Sequence, residues 1–465
     1  MIRLFNQYVS AKGVLLIALE AALVVLSLVA GAKLRFWYSR AEFVLYTHSQ
    51  AFLLQILTVL VVVASSYDYN NLYDLNAARP RRTQLAQLIQ ALAACFVLLG
   101  TVYYLLPGLL VSHWVLIIAL VLTAAASSAT RLGLDVVWAL TARERNVLIL
   151  GTGNVALTVL REFERRSDLN LCVAGLVAPE QPPCSELFGQ PILGCAGQLP
   201  AIVREHNISR IIVALDDLRG ALPARDLVRL RLQGIEVEEG HSALAALTGR
   251  IWLQLVRPSW FVFSPGFQRS PATVLVKRII DVAFSILGLI LFLPVMALIA
   301  LAIRLDSWGP VLYRQARVGL GGKVFNVLKF RSMQCCAEAD NNARWAQEND
   351  PRVTRVGRLL RKYRLDELPQ FINVLRGEMS FVGPRPERPV FVMQLREQIA
   401  FYDERHAIRP GVTGWAQVQY GYGGSAESAF RKLEYDLFYL NSMSIGFDIA
   451  IVFRTVRVVL FGRGW

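Results

Sequence analysis

An acidic pair, Asp366 and Glu367, stands inside the run YRLDELPQFINVLRGEMSFVGPRPE at residues 363–387, with cations on both sides of it. Asp366 is placed to cap a short helix and Glu367 to lie in its first turn, ahead of Pro369 and the apolar Phe371, Val374 and Leu375, with Gly377 as the stop. Adjacent carboxylates on a helix do not face each other, so the two should have different tasks: one binds metal or attacks, the other orients. Upstream, Val353, Val356, Leu359, Leu360 and Tyr363 share one helical face, while Arg352, Arg355, Arg358, Arg361, Lys362 and Arg364 mostly occupy the others. A helix N-terminus among arginines suits phosphate, and a carboxylate in that field stays ionised, as a nucleophile or a Mg²⁺ ligand must. Arg385, held between Pro384 and Pro386, adds a cation on a stiffened turn. A capped surface helix with solvated basic neighbours would show the same local pattern, so the pair does not decide the matter by itself.

Further motifs accompany it. KRIID at residues 277–281, YRQARVG at 313–319, KFRSM at 329–333, LDELPQ at 365–370, GPRPE at 383–387 and RPGVTGW at 409–415 occur in this order along the last two-fifths of the chain. In them the chain resembles the bacterial sugar transferase family, the polyprenyl-phosphate glycosyl-1-phosphate transferases. Its whole layout, the opening MIRLFNQYVS included, is similar to the large exopolysaccharide-initiating members, the PEP-CTERM-associated type among them. The resemblance implies transfer of a sugar-1-phosphate from a UDP-sugar to polyprenyl (undecaprenyl) phosphate with release of UMP, the initiating step of exopolysaccharide or capsule synthesis. It implies Asp366 as nucleophile and Mg²⁺ ligand with Glu367 in support, and the large members suggest a homodimer. A covalent aspartyl phospho-sugar would split one difficult transfer between anions into two steps. Lys329, Arg331 and Arg385 are the candidates for contacts to substrate phosphates; ion pairing within a basic domain is their other reading. No motif names the sugar.

The elements that must position these residues follow from composition and periodicity. An apolar fraction of 54% and a mean hydropathy of +0.42 point to a membrane protein of two or three domains. The net charge of +14 suits anionic lipid headgroups or phosphorylated substrates, and no zinc spacing, helix-turn-helix or aromatic-interleaved basic module favours nucleic acid. The cysteines form no C-x-x-C pair, which fits reduced domains facing the cytoplasm. Apolar stretches at residues 14–32, 52–64, 85–106 and 114–126 predict a four-helix membrane bundle over residues 1–140. The first is too long for a signal peptide and lacks a small-residue cleavage motif. Glu20 within it is read as a contact inside the bundle or an interface-facing side chain. Arg79, Arg81, Arg82, Arg131, Arg143 and Arg145 put their loops in the cytoplasm, with Lys33, Arg35 and Arg40 dissenting.

Residues 141–250 read as a Rossmann-like α/β domain, with a strand at 147–150, a glycine turn from Gly151 through Gly153 to Ala156, a helix from Leu157, and strands at 172–177 and 211–215. Gly151 and Gly153 are the candidates for bringing backbone close to a pyrophosphate, but the acidic ribose partner expected after the second strand is missing, with only Glu180 beyond. This domain admits two rival readings, a membrane-tethered NAD-dependent UDP-sugar dehydratase or epimerase and a polysaccharide-assembly scaffold. The Tyr-x-x-x-Lys pair of such an enzyme occurs only at Tyr8 and Lys12, ahead of the first membrane helix. Residues 251–276, aromatic and proline-bearing, suit an interfacial linker to a catalytic domain over residues 277–465. There, residues 282–303 are long enough to span, yet Pro294 sits near their centre and a full crossing would carry the acidic pair away from cytoplasmic nucleotide sugars. A kinked helix that enters and leaves on one side is expected. The resemblance implies the same re-entrant helix, with Leu293 where the family commonly has serine, and thus a monotopic catalytic domain facing the cytoplasm from the bacterial inner membrane. The charged, apolar stretch at 445–461 reads as an interfacial amphipathic helix.

Overall fold

The computed structural model describes residues 2–73, 81–141, 145–169, 171–180, 185–217, 221–268, 270–334, 352–421 and 425–460. They form two compact units, one of residues 1–4 and 8–243, the other of residues 5–7 and 244–465.

The first unit opens with long apolar helices, Ala11–Arg35, Gln50–Tyr69, Arg81–Leu105 and His113–Thr141. With Pro271–Asp306 of the second unit, the described residues hold five helices long and apolar enough to cross a membrane, and the chain is a membrane protein. The second and fourth exceed their apolar stretches because flanking polar residues continue the helix: Ser49 accepts Phe52 N at 3.2 Å as an N-cap. A short helix, Arg40–Thr47, stands between the first two without an apolar signal to announce it. The helices bury Val24, Leu28, Val59, Val63, Leu99 and Val115 among themselves. Gly31 lets two backbones approach: a Cβ there would lie 2.8 Å from the carbonyl of Val115. Glu20 is buried in this packing and accepts from Arg131 Nη2 at 2.6 Å and Ser127 Oγ at 2.7 Å. It is a contact inside the helix cluster, since an acid there must be paired.

The α/β part follows. Its sheet runs in the order Glu186–Leu187, Gln190–Cys195, Leu171–Ala178, Arg145–Leu150, Ile208–Val213, Glu236–Glu239, parallel throughout except for the first pair. The order reverses beside Arg145–Leu150, the place where such sheets leave a crevice for ligands. The glycine turn lies there and leads into helix Asn154–Glu164. Gly151 has φ +137°, and a Cβ on it would sit 2.2 Å from the carbonyl of Ala214, so no other residue fits.

In the second unit the long helix Pro271–Asp306 continues through Pro294, helical on both sides of it. Antiparallel strands Leu312–Val318 and Val324–Phe330 follow, with Lys329 paired to Tyr313. Helix Arg355–Lys362 buries Gly357 and Leu360 and exposes Arg355 and Arg358, while Arg361 is half-buried and Leu359, expected on the apolar face, is exposed. Then come helix Gln370–Arg376, the parallel pair Ser380–Val382 and Gly411–Thr413, and helices Pro389–Gln398, Ala426–Ser442 and Ile445–Leu460. Gly377 ends its helix at φ 82°, the left-handed stop expected of it. The core of this unit gathers Trp260, Phe391, Tyr402, Trp415, Phe438 and Phe447.

Candidate active site

Asp366 and Glu367 do not open the helix behind them; they form their own 3₁₀ turn, Leu365–Glu367. Two local features separate the turn from its neighbours. Arg364 adopts φ 53° and ends the preceding helix, a left-handed conformation that costs a non-glycine residue roughly 1–2 kcal/mol. Pro369, which lacks an N–H, precedes Gln370–Arg376 as its cap. Both carboxylates turn inward, each at 8% exposure.

Their surroundings differ sharply. Glu367 Oε1 accepts from Lys329 Nζ at 3.2 Å and from Arg385 Nη2 at 2.8 Å. Among the described residues none hydrogen-bonds the Asp366 carboxylate, which feels Glu367, Lys329, Arg385 and Arg361 through charge. Burial raises the Asp366 carboxyl well above its ordinary range, and the charge of Glu367 adds to the rise. Burial pushes Glu367 the same way, but Arg385, Lys329 and Arg364 outweigh it and hold that carboxyl below the usual range. Lys329 is lowered by its own burial, with the charge of Glu367 opposing the loss. One member is therefore a fixed anion and the other an unpaired carboxylate whose affinity for a proton is strengthened by desolvation, a division of labour that two equal carboxylates could not give.

Lys329 owes its place to Asn373. This fully buried amide accepts from Leu328 N at 2.9 Å and donates to Asn326 O at 2.8 Å and Glu378 Oε2 at 2.6 Å, pinning helix Gln370–Arg376 to the strand that bears Lys329. Arg331, expected beside Lys329, goes elsewhere. Its guanidinium donates to the carbonyls of Ser307, at 2.7 Å, and Trp308 and to the Ser307 hydroxyl at 3.0 Å, satisfying carbonyls at the end of the long helix. Arg364 and Arg361, read from sequence only as part of a basic face, are instead the further cations that act on the pair. Trp415 lies at 2% exposure in the core against Phe447, so RPGVTGW contributes packing there.

A divalent cation was implied by resemblance, and the donors present suit one kind. Mg²⁺ takes one or two carboxylates and completes its shell with water and phosphate oxygens. Asp366 offers an unpaired carboxylate, while no group of three or more acidic, His or Cys side chains able to hold a metal occurs among the described residues. The site fits a cation bound jointly with a phosphorylated substrate.

In the α/β part, Asp216 reaches the N-terminus of helix Asn154–Glu164, accepting from Asn154 N at 3.1 Å and Val155 N at 3.2 Å. That is where a pyrophosphate sits in a dinucleotide fold, and a ligand there would have to displace this carboxylate. Tyr8 offers no catalytic hydroxyl for the dehydratase reading. It is bonded to Glu238 and accepts from Arg210 Nη1 at 2.6 Å, and burial, followed by the charge of Glu238, pushes its proton affinity up rather than down.

Residues 272–462 match the family described as bacterial sugar transferase, and residues 68–217 match a CoA-binding domain. The chain is 42% identical to a UDP-N-acetylgalactosamine-undecaprenyl-phosphate N-acetylgalactosaminephosphotransferase of Aeromonas hydrophila, over 54% of this chain and 58% of that protein. It is 49% identical to a UDP-glucose:undecaprenyl-phosphate glucose-1-phosphate transferase of Escherichia coli (strain K12), over 39% of each. It is 40% identical to an exopolysaccharide production protein of Rhizobium leguminosarum bv. phaseoli, over 39% of this chain and 94% of that protein. The chain thus spans between about two-fifths and three-fifths of the length of the first two relatives.

The unequal pair predicts stability effects of opposite sign in metal-free protein at pH 7. The raised affinity of Asp366 for its proton means that its ionised form costs stability above that range, a cost absent at acid pH, so Asp366→Asn should raise the melting temperature. The depressed Glu367 carboxyl contributes stability at neutral pH that is lost as pH falls through its folded value, and Glu367→Gln strands Lys329, so it should cost about 3 kcal/mol. Thermal melting in detergent with chelator checks both; a lower midpoint for Asp366→Asn would contradict the assignment.

Proposed function

The chain belongs to the bacterial sugar transferase family, and we propose that it transfers a sugar-1-phosphate from a UDP-sugar to polyprenyl (undecaprenyl) phosphate, releasing UMP and initiating exopolysaccharide or capsule synthesis. The observation that carries this reading is the unpaired Asp366 carboxylate beside a Glu367 that already holds two cations. An Asp366 oxygen attacks the β-phosphorus of the UDP-sugar; the bond from that phosphorus to the bridging oxygen breaks, and UMP leaves with the electron pair. A phosphate oxygen of the polyprenyl phosphate then attacks the aspartyl phospho-sugar, which restores the carboxylate and yields the lipid-diphosphate sugar. Lys329 and Arg385 neutralise substrate phosphate oxygens, and Glu367 fixes both. Asp366 would hold Mg²⁺ together with the substrate, and the ion would supply positive charge that favours the ionised carboxylate and the departing phosphate. A homodimer, implied by the same resemblance, is part of this proposal.

The membrane reading completes the scheme. The four N-terminal helices form a spanning bundle, and the catalytic unit faces the cytoplasm of the bacterial inner membrane on a re-entrant helix. Support for re-entry comes from both ends of Pro271–Asp306. Arg278 donates to the carbonyls of Val374 and Leu375, at 2.8 Å for the latter, and Asp281 accepts from Phe381 N at 3.0 Å. At the other end Asp306 accepts from Val356 N at 3.2 Å, and Ile299 and Ile303 pack with Phe330 and Leu360. Arg278 and Asp306 are ~42 Å apart along a straight helix, more than a ~30 Å hydrocarbon core. A crossing helix would hold residues of one polar unit on opposite faces; one bent about Pro294 would not. Leu287, Ile290, Leu291, Leu293 and Leu298, all exposed, supply the lipid-facing surface.

UMP release, assayed in nanodiscs with undecaprenyl phosphate across a panel of UDP-sugars, tests the activity. Wild type should turn over at least one of them, and Asp366→Asn should lose several orders of magnitude while still folding; near-normal turnover in that variant would refute the role.

Topology has its own test. Cysteines at Ser270 and Lys323, in a background without the native cysteines, should both be shielded from an impermeant thiol reagent on intact cells. Pro294→Leu permits a continuous apolar helix, so a fraction should become labelled at position 323, with matching loss of UMP release. Labelling at 323 with Pro294 intact would mean that the helix spans.

A further inference from the structure

Residues 384–387 belong to no regular element, yet each of their carbonyls is taken by a donor from elsewhere in the catalytic unit. Pro384 O accepts from Gly411 N at 2.9 Å, Arg385 O from Arg405 Nη2 at 3.0 Å, Pro386 O from Arg317 Nη1 at 3.0 Å, and Glu387 O from Val318 N at 2.9 Å. The sequence explains why the donors must come from outside: Pro384 and Pro386 have no N–H and fixed φ, so the loop can neither join a ladder nor relax toward one.

Two of the four donors are guanidinium groups, where plain amides serve for the other two. Each has a second anchor that sets its direction. Arg405, at 6% exposure, is paired to the buried Asp436 at 2.7 Å and donates to the Tyr402 hydroxyl at 2.8 Å. Arg317 is forked onto Gln315 Oε1, at 3.1 and 2.6 Å, and reaches Glu387 Oε2 at 3.4 Å. Desolvating a cation to satisfy a neutral carbonyl is a poor exchange for stability alone. What the two grips share is the residue at their centre, Arg385, whose own guanidinium meets Glu367 at 2.8 Å.

We propose that Arg405 and Arg317 are positioning residues for the transfer: by gripping the carbonyls of Arg385 and Pro386 they fix the Arg385 guanidinium at Glu367, ready for substrate phosphate without reorganisation. This rests on the transferase reading above. A cation whose backbone is already immobile loses little freedom on meeting phosphate, and small misplacements of such a group cost rate steeply.

Steady-state UMP release by full-length protein in nanodiscs, for Arg317→Gln, Arg385→Ala and the double variant, decides whether the first acts through the second. Arg317→Gln should lower kcat/KM roughly tenfold, within the range expected for a misplaced group, and Arg385→Ala roughly a hundredfold. The double variant should be no slower than Arg385→Ala, because a positioning residue has nothing left to position. Hydrogen exchange at the Val318 and Gly411 amides, which donate to the Glu387 and Pro384 carbonyls, should quicken in Arg317→Gln. Should that protein fail to fold, Arg405→Lys, which keeps a charge opposite Asp436 but not the fork, carries the same cycle. Losses that multiply in the double variant, or exchange that stays at the wild-type rate, overturn the proposal while leaving the transferase reading intact. A wild type that releases no UMP from any UDP-sugar overturns that reading and the proposal with it.

Discussion

Glu367 holds two cations at one oxygen, Lys329 at 3.2 Å and Arg385 at 2.8 Å, and the chemistry of the site depends on that three-way contact. A buried carboxylate needs such partners, and so do a half-buried lysine and an arginine on a proline-locked loop. Together they satisfy each other and leave Asp366, one residue away, with charge neighbours but no hydrogen bond among the described residues. An anion without a structural task is available to react. The opposite displacements of the two carboxyls, Asp366 upward and Glu367 downward, express the same asymmetry in protonation.

The surrounding fold can be understood as what this contact requires. Asn373 locks the strand of Lys329 to the helix that follows the acidic turn. The left-handed Arg364 breaks the chain so that both carboxylates point inward. The long apolar helix is tied at each end to the same polar unit, through Arg278 and Asp281 on one side and Asp306 on the other, with its exposed leucines and isoleucines between them. A reaction that joins a water-soluble nucleotide sugar to a lipid phosphate needs its nucleophile near the membrane surface, and a site built against such a helix meets that need.

Much of this was legible in local pattern. The long apolar helices, the glycine turn, the strands beside it and the stop at Gly377 all follow from short-range rules of hydropathy, period and backbone freedom, and the structure holds these elements near where those rules put them. The acidic pair and the motifs around it were visible for the same reason. What local pattern could not supply was the destination of long side chains. Lys329 and Arg331 are two residues apart on one segment, yet the first reaches Glu367 and the second the end of a helix that closes over twenty residues earlier. Arg405 lay in no motif that drew attention, and its bond to the Arg385 carbonyl exists only once two distant segments have met. Asp216, which fills the anion position of the glycine turn, is likewise sixty residues from the amides it caps. The turn at Asp366 was misplaced by one element because nothing in its composition announces a left-handed arginine.

Asp366 is the proposed nucleophile, and intact mass spectrometry tests that role most directly. Enzyme given UDP-sugar and Mg²⁺ without polyprenyl phosphate should gain the mass of one phospho-sugar, mapped by peptide analysis to Asp366 and discharged when the lipid phosphate is added. Turnover with no such adduct, or an adduct on any other residue, would contradict it.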